Sequence, residues 1–92
     1  LAWRIRFSDT AEKQLSKLDR KVAKRIYDFL RNRIAKLDDP RSLGEALKGS
    51  KLGEFWRYRV GDYRIITSIE DNVLTILVIT VGNRKDIYRG KY

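Results

Sequence analysis

Three arginines, Arg57, Arg59 and Arg64, flank a Gly61-Asp62 pair at spacings that can gather their guanidinium groups on one surface. A guanidinium is a planar fork of N–H donors that stays protonated and grips phosphate through two parallel bonds. Such a cluster is suited to holding a phosphodiester and offsetting charge that builds on it, and its permanent charge makes it a poor base. Gly61 at the first central position suits a two-residue type II′ turn between two alternating segments. With Val60 and Tyr63 flanking that turn, Arg59 lies opposite Arg64, Arg57 opposite Ile66, and Tyr58 opposite Ile65. Alternation then puts Trp56, Tyr58, Val60, Tyr63, Ile65, Thr67 and Ile69 on one face and the three arginines on the other. Like charges directly opposite each other destabilise a strand pair, and a bound anion would relieve the conflict. Solvation, or pairing with Glu54, Glu70 or Asp86, would relieve it as well.

The composition narrows the chemistry. Twenty-one Lys and Arg against twelve Asp and Glu give a net charge of +9 in 92 residues. That density favours polyanions through counterion release, with acidic proteins and anionic membranes as other partners. Cysteine and histidine are both absent, which excludes thiolate and imidazole metal sites and a cysteine nucleophile. Proton transfer must fall to Lys, Tyr, Asp, Glu or water. No apolar run reaches membrane-spanning length and the first residues lack a signal-peptide pattern, so a cytoplasmic protein without a membrane partner is expected. The length suits one domain, residues 1–92.

The elements that would position the arginines follow from periodicity. Ala2 to Phe7 alternates, with Trp3, Ile5 and Phe7 on one side and Arg4 and Arg6 on the other, as in a half-buried strand. Ser8 or Asp9 offers an N-cap to a short helix whose Ala11, Leu15 and Leu18 share a face. Asp19 offers a second cap, and Val22, Ile26, Phe29, Leu30, Ile34 and Leu37 extend a second helix over roughly five turns. Lys and Arg cover the outer faces of both helices, as a solvated surface or an RNA-docking one. Pro40 stops the second helix, and residues 41–52 read as a loop or a single weak turn. Asp71-Asn72 makes a second tight turn, and Val73 to Val81 is apolar on both faces, which places it centrally in its sheet. The expected fold class is α+β: an N-terminal strand, a helical hairpin, then a three-stranded antiparallel meander. The first strand would pair along the free edge of the last, giving four strands with helices on the Trp56 and Tyr58 face.

This order of elements, with the stretches EFWRYRVGDYRII and VITVGNRKDIYR, resembles the RelE/ParE superfamily of bacterial and archaeal toxins. The resemblance covers nearly the whole chain, and the ending is more similar to the RelE branch. It implies the toxin of a type II toxin-antitoxin system, an mRNA endonuclease acting on the translating ribosome. The ParE alternative on the same fold is a poison of DNA gyrase. Implied partners are a RelB-like antitoxin in a hetero-oligomer, the ribosome and mRNA, with no cofactor and no metal.

The resemblance also implies site residues. Arg64 matches the arginine that holds the scissile phosphate, Arg84 the arginine after the Val-Gly pair, and Tyr88 the C-terminal tyrosine. Arg57 stands where the best-studied branch has lysine, while Phe55 and Asn83 replace residues that elsewhere carry lysine and histidine. The base is therefore open, with Lys51 its candidate because a lysine crowded by arginines loses charge more readily. Arg59, Lys48, Lys85 and Arg89 would bind RNA, and Tyr88 would stack on a base or move a proton. RNA cleaves itself when its 2′-hydroxyl attacks the adjacent phosphorus, so the protein need only orient that group, stabilise charge and manage protons.

Overall fold

The computed structural model describes residues 2–47 and 55–83. Among them are a strand β1 (Arg4–Phe7), helices α1 (Asp9–Ser16) and α2 (Arg20–Asn32), and four further strands. These are β2 (Glu45–Ala46), β3 (Phe55–Val60), β4 (Tyr63–Glu70) and β5 (Thr75–Asn83). The sheet order is β1-β5-β4-β3-β2. The helical hairpin carries the chain across one face from β1 at one edge to β2 at the other. The meander then returns strand by strand until β5 meets β1 in parallel. This is the expected α+β architecture with helices on one side, enlarged by a fifth strand.

Capping sets the helix starts. The Ser8 hydroxyl accepts from Ala11 N at 3.0 Å, and the Asp19 carboxylate accepts from Lys21 N at 3.1 Å. Each satisfies a donor that the first helical turn leaves without an internal partner. The second helix is shorter than the expected five turns, stopping at Asn32 and giving way to a 3₁₀ turn over Ile34–Lys36. That tightening buries Ile34 and Ala35 and lets Ala35 O accept from Trp3 N at 2.8 Å, tying the helical layer to the start of β1.

The core lies between the two layers. Ala11, Leu15, Ile26, Leu30 and Ile34 meet Tyr58, Val60, Ile65, Ile76, Val78 and Val81. Phe7 meets Tyr27 edge-on at 5.2 Å, and Phe29 meets Tyr58 at 6.3 Å. The hairpin register is the expected one, Arg59 opposite Arg64, Tyr58 opposite Ile65 and Arg57 opposite Ile66. Gly61 has φ +58° while Asp62 keeps a negative φ. A type I′ turn needs both positive, so the turn chemistry matches the II′ expectation.

Two further features depart from the expected outline. The segment after Pro40 is no plain loop, because it forms a 3₁₀ turn over Pro40–Ser42 and then β2, whose Glu45 pairs with Arg57 and Ala46 with Trp56. In β5, the pairing to β4 shifts between Ile66/Thr80 and Thr67/Val78, leaving Ile79 as an extra residue in a bulge. The pairing of β1 with β5 ends at Val78. Beyond it, Ser8 Oγ donates to Ile79 O at 2.6 Å and Gln14 Oε1 accepts from Val81 N at 2.6 Å. Ser8 at the N-cap of α1 and Gln14 in its last turn thus take over the backbone pairing where the strand runs out.

Candidate functional site

The strand register builds the site. On the sheet face away from the helices, β3 presents Arg57 and Arg59 and β4 presents Arg64, with Arg59 and Arg64 directly opposed. The opposition is relieved in two ways. Arg64 is buried, 7 % exposed, and its Nη1 donates to Gly61 O and Tyr63 O, both at 3.2 Å. Its guanidinium is thereby folded back onto the carbonyls of the hairpin turn. Arg59 leans instead to the sheet edge, where its Nε lies 3.2 Å from Glu45 Oε1. The other oxygen of Glu45 stands 3.4 Å from Arg57 Nη2. One carboxylate therefore spans two arginines, each oxygen taking one.

Glu45 was not among the residues singled out from the sequence. The anticipated carboxylates were Glu54, Glu70 and Asp86. Glu70 sits at the far end of β4, opposite Thr75, and the other two lie outside the described residues. A two-residue strand has no periodicity to reveal it. The available signal was that Glu45 is the one carboxylate between Asp39 and Glu54.

The segment that delivers Glu45 is fastened from both ends of its approach. Tyr58 donates its buried hydroxyl to Pro40 O at 2.7 Å. Burial pushes the Tyr58 hydroxyl pKa up to about 12, against the opposing charge of Arg41. Arg41 grips Asp71 with two bonds, 3.1 and 2.6 Å, and its guanidinium lies 5.9 Å from the centre of the Trp56 ring. That fork raises the pKa of Arg41 and lowers that of Asp71. Gly44 passes so close to the Tyr58 ring that a Cβ there would stand 3.0 Å from it. The loop is thus laid flat on the core side of the sheet edge, and β2 emerges in register beside Arg57.

Of the residues assigned from the sequence, Arg57, Arg59 and Arg64 are brought together. Lys48, Lys51, Arg84, Lys85, Tyr88 and Arg89 lie outside the described residues. The Nε of Arg64 is buried without a hydrogen-bond partner among the described residues. Burying a charged group is costly unless its donors are met, and the two carbonyls that Nη1 reaches meet part of that cost. A hollow of about 570 Å³ lined by Leu15, Leu18, Tyr27 and Arg31 belongs to the helical layer and contains none of these residues. Among the described residues, no group of acidic side chains is placed to hold a metal ion, and no helix is long and apolar enough to cross a membrane.

The fold is shared with known proteins. A family model described as the ParE toxin of the type II toxin-antitoxin system parDE matches residues 5–88. Toxin RelG of Mycobacterium tuberculosis is 29 % identical over 89 residues, covering 97 % of this chain and 99 % of that one. Toxin RelE of the same organism is 28 % identical, covering 95 % of this chain and 87 % of its own. Among solved structures, the toxin-antitoxin complex RelBE2 of M. tuberculosis holds a chain that superposes with a TM-score of 0.81. It shares 26 % identity and covers 94 % of this chain and 95 % of that one.

Proposed function

Because the chain belongs to the ParE-toxin family of type II toxin-antitoxin systems, within the RelE/ParE superfamily, we propose that it acts by cleaving mRNA on the translating ribosome. The observation that carries this reading is the arginine face, on which the buried Arg64 stands opposite Arg59 and beside Arg57. In the reaction, the RNA 2′-hydroxyl attacks the adjacent phosphorus and the bond to the 5′-oxygen breaks. The products are a 2′,3′-cyclic phosphate and a 5′-hydroxyl. The attacking oxygen gives up its proton and the leaving oxygen gains one, so the balance requires no metal and no added reactant.

Arg64 and Arg57 stabilise the extra negative charge on phosphorus in a setting where water is largely displaced. Arg84 joins them as a third clamp, Tyr88 stacks on a base, and Lys51 takes the 2′ proton. Glu45 holds Arg57 and Arg59 aimed at the site until a phosphate replaces it. The ribosome orients the mRNA, which accounts for acid-base equipment this sparse. The net charge of +9 and the toxin-antitoxin complex of the relative point to a RelB-like antitoxin, acidic and partly disordered, as partner.

The test is primer extension on mRNA in a purified translation system, with and without ribosomes, comparing the wild type with Arg64→Lys and Arg84→Ala. New 5′ ends that need both ribosomes and wild-type protein support the reading, and intact mRNA in every lane overturns it. The ParE description of the matching family favours the second reading, a gyrase poison without nuclease activity. Loss of supercoiling by gyrase with mRNA left intact would establish it.

A further inference from the structure

The N-terminal strand carries two arginines that the proposed reaction does not use. In the parallel register, Arg4 lies beside Thr75 and Arg6 beside Leu77. Those two residues pair in turn with Glu70 and Ser68 of β4. Glu70 and Ser68 are an even number of residues from Arg64, so they share its face. Arg4 and Arg6 therefore stand on the same sheet face as Arg57, Arg59 and Arg64, while Ile5 and Phe7 point into the core against the helices.

Both arginines are exposed, and neither guanidinium makes an ion pair or hydrogen bond among the described residues. Two strand spacings and four residues along β4 separate Arg6 from Arg64, roughly 16 Å between their Cα atoms. One phosphate cannot be shared across that span. Arg4 also borders an open hollow of about 440 Å³ with Ala2, Asn72, Val73 and Leu74. Val73 and Leu74 are among the exposed large apolar residues, at 60 % and 38 %, and Leu74 closes the β4–β5 turn with a left-handed backbone, φ +46°.

We propose that Arg4 and Arg6 form a second phosphate-binding station, which holds the single-stranded mRNA a short way from the scissile phosphate. This rests on the nuclease reading and extends it along the sheet. A backbone-tracking groove needs cations at successive stations along the strand it holds. The face supplies that sequence: Arg59 and Arg57 on β3, Arg64 on β4, then Arg6 and Arg4 on β1, with the Val73–Leu74 hollow at the end. An acidic protein would use the same charge, but continuity with the phosphate clamp and a nucleotide-scale separation favour RNA.

The experiment is the ribosome-dependent cleavage assay run over a series of toxin and salt concentrations. It compares wild type, Arg4→Gln/Arg6→Gln, and a charge-matched control on the helical layer, Lys13→Gln/Lys17→Gln. Single-stranded contacts contribute about 0.7 to the salt slope per phosphate, so losing two lowers it by about 1.4. The double variant is expected to need about tenfold more toxin for half-maximal rate, with the maximal rate unchanged. mRNA bearing neutral methylphosphonates two to four linkages from the cut should weaken the wild type alike and leave the variant unaffected, as coupled partners do. Unchanged half-saturation, or a change equal to the control's, overturns the proposal. An effect that the methylphosphonates do not share, or a loss of affinity for the antitoxin alone, overturns it in favour of ribosomal RNA or an acidic protein. If the wild type itself does not cleave, the nuclease reading is what has failed.

Discussion

Tyr58→Phe removes one oxygen and tests whether the loop before β2 is held as described. The ring is buried, 2 % exposed, and its hydroxyl donates to Pro40 O at 2.7 Å. Phenylalanine keeps the ring packing against Phe29 and loses only the donor, leaving Pro40 O with the longer bond from Leu43 N at 3.5 Å, so the cost is that of one buried hydrogen bond, about 1 kcal/mol. For a chain of this size that lowers Tm by about 4–8 °C. Urea titration should show a lower midpoint with unchanged slope, because the surface exposed on unfolding stays the same. Alkaline pH supplies an internal control. The folded-state pKa of Tyr58 is pushed up to about 12, above the ordinary value of about 10, so the folded state favours the neutral hydroxyl. The stability it contributes is fully present below pH ~10 and is lost as pH rises toward ~12. The difference between wild type and Tyr58→Phe should therefore shrink over that window. A difference under about 0.5 kcal/mol at neutral pH, or one that does not narrow above pH ~10, would refute the tether.

Three other substitutions probe the positioning of the arginine face. Gly61→Ala forces a side chain into φ +58° and should cost about 1 kcal/mol in a urea titration. The added Cβ would approach Arg25 Nη1 to 3.2 Å, but that group is the end of a flexible side chain and can move. Gln14→Leu deprives Val81 N of its acceptor and should cost about 1–3 kcal/mol; a neutral result would mean that the bulge is held by β4 alone. Glu45→Gln should leave stability within about 1 kcal/mol, since the carboxylate is half-exposed. The same change should lower the toxin concentration needed for half-maximal cleavage a few-fold by removing the competing anion. A rise in that concentration would show that Glu45 aims the arginines more than it competes for them.

What could be read from the residues was whatever repeats or punctuates. Gly61-Asp62 defined the hairpin and with it the pairing of Arg59 and Arg64, and Ser8 and Asp19 marked the helix starts. The central place of the last strand followed from its apolarity on both faces. That same apolarity hid the bulge, because a shift of phase at Ile79 leaves no trace where nearly every position is apolar. The end of α2 was illegible for a related reason: Ile34 and Leu37 continue the helical spacing, and only the contact of Ala35 O with Trp3 N shows why the chain tightens there. Glu45 escaped because its partners, twelve and fourteen residues away, are reached through the one-strand edge pairing of β2. The left-handed Leu74 has no glycine to announce it.

The bulge also decides which residue of β5 stands opposite the buried Arg64. From Thr75 to Val78, alternation puts Ile76 and Val78 against the helices and Leu77 on the arginine face. Continued without interruption, it would turn Val81 to the arginine face, opposite Arg64. The extra residue resets the phase, so Val81 joins the core and Gly82 becomes the partner of Arg64. Gly82 adds no side chain to that face beside Arg64, whose guanidinium lies back against Gly61 O and Tyr63 O. The bulge sits between the stretch of β5 that carries β1 and the stretch that faces Arg64, so it adjusts the second without disturbing the first. A slip of β1 by one residue would turn Ile5 and Phe7 outward and Arg4 and Arg6 into the core. Core packing thereby forces the N-terminal arginines onto the same face as the hairpin arginines.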